Sequence, residues 1–228
     1  MKERPILFNA EMIKAILSGR KTQTRRIMKN QPAGDFQDCP VQVRRDDDQF
    51  QWFSTQYGES TWFSNPLGKP ADQLWVREAF RMAKSLDTHS PREVAALSMS
   101  AGYKNPWAPI QFEADSARAG KWTGFDTPPV VTDAGKLRPS LHMPRWASRI
   151  DLLITGVRVE RLNSLTNTDA RAEGYPAERE IDGGSTDPWL WFRDLWDGIY
   201  PDNTFKVNPW VWVIKFQRVE TPVKSGAE

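Results

Sequence analysis

Between Gly19 and Arg26 the chain places a primary amine (Lys21), two threonine hydroxyls (Thr22 and Thr24) and three guanidinium groups (Arg20, Arg25 and Arg26) within eight residues. Three chemistries use such a set: phosphate cradling, nucleic-acid gripping, and attack by a hydroxyl that an amine has deprotonated. For the last, Thr24 offers the nucleophile and Lys21 the base. A free lysine has a pKa of ~10.4, and a base working at neutral pH needs roughly 7–8. The difference corresponds to ~4 kcal/mol, and burial among like charges lowers a lysine in that direction. Arg20, Arg25 and Arg26 can therefore tune Lys21 as well as hold an anion.

Other sites are excluded by their missing parts. A phosphate loop needs glycine directly before the lysine and a second glycine five residues upstream; here Arg20 intervenes, and the segment leaves a helix instead of entering one. His89, His142 and Cys39 show no paired zinc-ligand spacing, so no metal and no cofactor is expected. There is no Gly-x-Ser-x-Gly elbow. The single cysteine excludes an intramolecular disulfide and fits a reducing compartment. Met1–Met12 has no signal-peptide run and no stretch approaches a membrane span. The expectation is a cytoplasmic protein without a membrane partner.

Charge is unevenly spread over the 228 residues. The net charge is +2, yet residues 1–31 hold eight basic and two acidic side chains, and Lys136, Arg138, Arg145 and Arg149 cluster with no acid between them. Two basic segments suit a polyanion or nucleotide, and equally two solvated faces. Glu78, inside the apolar Trp75–Phe80 run, is either a proton donor with a raised pKa or the buried partner of an arginine. His142, Arg145, Trp146 and Arg149 lie within eight residues and could stack on a base or hold phosphate. His142 reads more simply as a turn residue, and any one of 11 tryptophans more simply as core.

These residues need elements to position them. Pro5–Phe8 reads as a strand and Asn9 as the N-cap of a short helix with Met12, Ile13, Ile16 and Leu17 on one face. Gly19 fits its left-handed end, and Lys21–Met28 reads as extended. Residues 33–70 read as a β-meander turning at Asp46–Asp48, with 60–65 as a third strand. Residues 72–82 read as one buried strand. Residues 84–135 form an irregular excursion with a helix at 91–99 and a strand at 110–114. A strand over Arg149–Leu162, a helix from Thr168, an amphipathic helix over 187–200 packing through Trp189, Phe192, Leu195 and Trp196, and a strand over 208–216 complete the order. The class is α+β and β-rich, a small barrel or strongly curved sheet with flanking helices and long inserted loops.

The Gly19–Thr24 string after a strand and helix, followed by Leu74–Phe80, His142–Ile150, Leu165–Tyr175 and Asn208–Val213, resembles the ASCH superfamily, relatives of the PUA RNA-binding fold, in its phage and prophage branch. The resemblance touches roughly half of the chain. It implies one PUA-like β-barrel domain over 1–220, with insertions at about 34–70 and 84–135 and a flexible tail at 221–228. One branch of the superfamily removes the acetyl group from N4-acetylcytidine using a lysine, a threonine and a glutamate. Carried over, these are Lys21, Thr24 and, through Leu165, Thr166 and Ala170, Glu173. The expected partner is a modified nucleoside or RNA. The rival expectations are a non-catalytic RNA-binding module and a metal-dependent ribonuclease, the latter with Asp46–Asp48 as Mg²⁺ ligands.

Overall fold

The computed structural model describes residues 1–32, 35, 40–123, 131–182 and 184–219. Cys39 and the expected tail lie outside them. The elements in chain order are β1 (Glu3–Leu7), α1 (Ala10–Leu17), β2 (Gln23–Ile27), β3 (Gln42–Asp46), β4 (Gln49–Ser54), β5 (Gly58–Glu59), β6 (Gln73–Arg77) and β7 (Phe80–Met82). They continue with α2 (Pro91–Ser100), β8 (Ile110–Phe112), β9 (Arg118–Ala119), β10 (Asp151–Arg161), α3 (Asn167–Ala172), α4 (Arg179–Asp182), α5 (Asp187–Ile199) and β11 (Trp210–Val219). No described helix is long and apolar enough to cross a membrane.

The strands form three sheets, ordered β1-β6-β10-β11-β2, β3-β4-β5 and β7-β8-β9. Each order has two ends, so the sheets are open. The α+β, strand-rich class holds, but the closed barrel implied by the resemblance is absent among the described residues. The chain divides into two compact units, one of Met1–Lys2, Ser18–Gln73 and Leu153–Arg218, the other of Glu3–Leu17 and Leu74–Leu152 with Val219.

In the first unit β2 runs antiparallel to β11, with Thr24 opposite Ile214 and Ile27 opposite Val211. Helices α3 and α5 share a core with these strands, built on Leu162, Leu165, Ala170, Phe192, Trp196, Val211 and Val213, with Trp189 packed against it. The β3–β4 hairpin turns at Asp47, whose φ is 49°. Its third strand is Gly58–Glu59, not 60–65, where Phe63 pairs with Phe50 as an isolated bridge.

In the second unit α1 starts where expected, the Met12 N–H donating to Asn9 Oδ1 at 2.9 Å. The expected single strand over 72–82 is two strands in different sheets. It breaks at Glu78-Ala79, where the Glu78 N–H reaches Met143 Sδ at 3.5 Å and Ala79 O accepts from the Glu113 N–H. Phe80 and Met82 then enter a core with Val94, Ile110, Phe112 and Met143.

Phe192 is 3 % exposed within the first unit's core. Truncating a buried phenylalanine removes its transfer free energy and leaves a cavity, so Phe192→Ala is expected to cost about 3–5 kcal/mol. Urea unfolding checks this, and a loss below about 1 kcal/mol, small for a buried core truncation, would contradict the packing.

Candidate functional site

The first unit brings Lys21 and Glu173, 152 residues apart, into direct contact. Lys21 follows Gly19, whose φ of 77° lets the chain leave α1 in a left-handed turn. Glu173 caps the C-terminal end of α3, and Gly174, at φ 105°, takes the left-handed position after it. Helix α3 starts at a capping box in which Thr166 and Asp169 exchange side-chain and backbone bonds. Its start is thus one residue earlier than expected. The two ends are joined through the backbone: Thr22 N–H donates to Ala172 O at 2.9 Å, and Lys21 and Glu173 form an antiparallel bridge.

Lys21 Nζ donates to Glu173 Oε2 and to Glu173 O, both at 2.8 Å. The two residues are 2 % and 4 % exposed. Burial pushes the Lys21 amine down from its ordinary value; Glu173 opposes that, and the Arg26 and Arg25 charges reinforce it. The direction matches what a base requires, but the first cause is exclusion of water, not arginine density.

The Glu173 carboxylate is shared. Its Oε1 accepts from Arg25 Nη1 at 3.0 Å, while Arg25 Nη2 donates to Glu160 Oε1 at 2.6 Å and lies 3.5 Å from Asp169 Oδ2. Gln23 donates to Asp169 Oδ1 at 3.0 Å, and Arg158 binds both Glu160 and Asp169. Arg25 has a fully buried side chain over the Phe192 ring, 5.7 Å from its centroid. It is therefore an internal ion-pair residue and not the ligand contact expected for it. Glu160, Asp169, Gln23 and Arg158 were not singled out from sequence. The Thr166-x-x-Asp169 spacing of a capping box was the available signal for one of them.

Thr24 stands apart from this network. Side chains alternate along a strand; Gln23 and Arg25 bond toward α3 and Ile27 joins the α5 core. Thr24 is therefore turned to the opposite face, and it is 1 % exposed. The structure unites the amine with the carboxylate and separates the hydroxyl from them.

A cleft of about 440 Å³ opens beside the pair, lined by Gly19, Arg20, Thr22, Arg171, Ala172, Tyr175, Ala177 and Glu180. That volume is in the range of small-ligand sites, about 300–1,000 Å³. The wall residues Arg20, Thr22 and Ala172 are chain neighbours of Lys21 and Glu173. Arg20 is anchored, its Nη1 donating to Gly174 O and Tyr175 O at 3.2 and 2.8 Å. Arg171 at the rim pairs with Glu180. Arg26 is half-buried on β2.

The remaining candidates lie in the second unit, mostly in ion pairs. Glu78, 2 % exposed, is gripped by Arg149 through two bonds of 2.8 and 2.9 Å, and Arg149 also binds Asp115 and covers the Phe112 ring. Burial pushes the Glu78 carboxyl up, with Arg149 opposing. Glu78 thus sits as an arginine's partner. Arg145 pairs with Glu3 and Asp151, and Trp146 packs against the core. His142 is exposed in the 3₁₀ turn Ser140–His142. Arg138 donates to Leu86 O and His89 O. The 136–149 segment is thus largely neutralised or bonded internally. Asp48 of the aspartate turn pairs with Lys69, and among the described residues no group of three or more His, Cys, Asp or Glu is placed to hold a metal.

Asp169 supplies a pH test. Burial raises its pKa, but hydrogen bonds from Gln23 and Thr166 and the charge of Arg25 outweigh that and hold the carboxyl well below the usual range. A depressed folded-state pKa stabilises above the unfolded value, about 4, and the contribution is lost as pH falls through the folded one. The urea midpoint is therefore expected to fall on acidification below about pH 4, and Asp169→Asn to lower the neutral-pH midpoint while flattening that decline. An unchanged acid limb in the variant would contradict it. Compared with protein-family models, with curated proteins and with solved structures, the chain gives no match.

Proposed function

We propose that the first unit binds a nucleoside-sized ligand in the Arg20–Tyr175 cleft and hydrolyses an acyl group from its exocyclic amine, with N4-acetylcytidine as the model substrate. One observation carries the reading: a buried lysine hydrogen-bonded to a carboxylate, both next in the chain to residues that line a cleft. Ionisable groups whose proton affinity is displaced by burial beside a charged partner concentrate at functional sites. The resemblance of the Gly19–Thr24 and Leu165–Tyr175 strings to the ASCH superfamily points to the same chemistry and to a PUA-like ancestry for the fold.

The residues divide the work. Lys21, whose hold on its proton is weakened by burial, in its unprotonated form accepts a proton from an attacking water as the water oxygen bonds to the acyl carbon. The Lys21 ammonium then returns that proton to the departing amine nitrogen as the carbon–nitrogen bond breaks. Glu173 orients the amine and stabilises its charged form between the two steps. Arg20, held by two carbonyls at the cleft wall, faces the developing oxyanion. Thr24 is buried on the other face of β2, so the geometry favours a water molecule as the nucleophile over the threonine.

Internal pairing of the arginines leaves the RNA-module reading with less free positive charge than the sequence suggested. Such a module would bind RNA with affinity falling steeply as salt rises, through counterion release.

Purified protein with N4-acetylcytidine is expected to release cytidine, and Lys21→Ala to reduce the rate by about 10²–10⁴-fold, the usual contribution of a general base. Glu173→Gln is expected to reduce it while remaining folded by circular dichroism. Thr24→Ala is expected to retain activity; its abolition would make the threonine the nucleophile. No release by the wild type, or release indifferent to Lys21→Ala, would end the hydrolase reading.

A further inference from the structure

Lys21 and Arg25 compete for one carboxylate. Oε2 of Glu173 serves the amine and Oε1 serves the guanidinium, at 2.8 and 3.0 Å. Arg25 is itself divided between Glu173, Glu160 and Asp169. We propose that Arg25 is a positioning residue that sets how much of the Glu173 carboxylate is available to the Lys21 amine. The inference rests on the Lys21–Glu173 site proposed above, whereas its test reads the amine itself and not turnover.

Three features of the network make Arg25 suited to this. Its side chain is fully buried, so its charge is poorly screened where it meets Glu173. It spans β2, β10 and α3, taking its carboxylates from Glu160 on β10 and from Asp169 and Glu173 on α3 and its cap. Its planar fork serves Glu173 from Nη1 and Glu160 and Asp169 from Nη2, a division that an ammonium would make only as a point charge.

Lys21, Arg25 and Arg158 stand against Glu160, Asp169 and Glu173. The cluster is neutral with Lys21 protonated and carries one negative charge without it. Arg26 from β2 adds positive charge that acts on the amine, while Lys215 of β11, opposite Gln23, is exposed to solvent. Removing Arg25 takes away a like charge and returns all of Glu173 to the amine, so Lys21 should hold its proton more tightly. Removing the charge of Glu160 does the reverse: Arg25 turns more fully to Glu173, and Lys21 should release its proton more easily.

The test is a pH titration of the full-length protein with lysine Cε labelled by ¹³C, the Lys21 signal being assigned by its loss in Lys21→Met. In Arg25→Gln the Lys21 midpoint is expected to rise by about one pH unit, the lower end of what a neighbouring charge does. In Glu160→Gln it is expected to fall, and in Arg25→Lys to stay nearer the wild type. Opposite shifts in the first two variants are the signature, because mere loosening would hydrate the amine and raise both. No shift in Arg25→Gln, or a rise in both variants, overturns the inference. If Arg25→Gln fails to fold, Glu160→Gln decides alone: a fall supports the inference, and a rise or no change ends it. Failure of the hydrolase reading appears separately, as absent cytidine release with the titration shifts intact.

Discussion

The contact between Lys21 and Glu173 is the constraint on which the first unit's arrangement depends. A lysine that is 2 % exposed cannot keep its charge in an apolar setting without a partner. Its nearest partner comes from the other half of the chain, at the cap of a six-residue helix. Helix α3 is too short to be stable by propensity alone. It is held at one end by the Thr166–Asp169 box and at the other by the bridge to Lys21. The same pair therefore fixes a helix end, closes β2 against it and stands behind the cleft wall.

Around that contact the network economises on guanidinium donors. Arg25 and Arg158 are directed inward to three carboxylates, and in the second unit Arg149 is used the same way on Glu78 and Asp115. In both cases the guanidinium also lies over a phenylalanine ring, Phe192 or Phe112, which covers one face of its plane. An arginine so placed stabilises packing and offers little to a polyanion. Arg25 and Arg149 are thereby withdrawn from the positive charge that the two basic stretches of sequence offer.

Local signals were the most legible part of the sequence. The Asn9 cap, the Gly19 turn, the aspartate turn, α2, α5 and the long strand β10 follow from residue types whose preferences act over a few neighbours. Residues 72–82 form two strands where one is expected because a run of strand-forming residues says nothing about which sheet each half joins; the break at Glu78 coincides with contacts to Met143 and Glu113, far away in the chain. The strand order suits a small barrel or a strongly curved sheet and the resemblance implies the barrel, but sheet closure depends on pairing between strand ends that no local pattern records. The contact between Lys21 and Glu173 joins two motifs that the resemblance pairs and that no local pattern links. Arg20 and Arg25 looked alike in sequence, and only their acceptors, backbone carbonyls in one case and buried carboxylates in the other, tell them apart. The position of Thr24 was readable in principle. A strand places residues 21, 23 and 25 on one face, so a hydroxyl at 24 cannot share it without a bulge.

That parity bears on how such a site would work. A lysine and a threonine three apart on regular extended chain face away from each other, so an amine-activated threonine needs irregular backbone between them. Thr22, between the Lys21 bridge and β2, is hydrogen-bonded on both sides, to Ala172 O through its N–H and to the Phe216 N–H through its carbonyl. Two such bonds leave the segment little freedom to turn Thr24 around. A nucleophile that is not tethered to the strand meets no such restriction, and the amine needs only a water within reach of Nζ. What the fold holds in place is the amine itself, buried, aimed by one carboxylate oxygen and balanced by a guanidinium on the other.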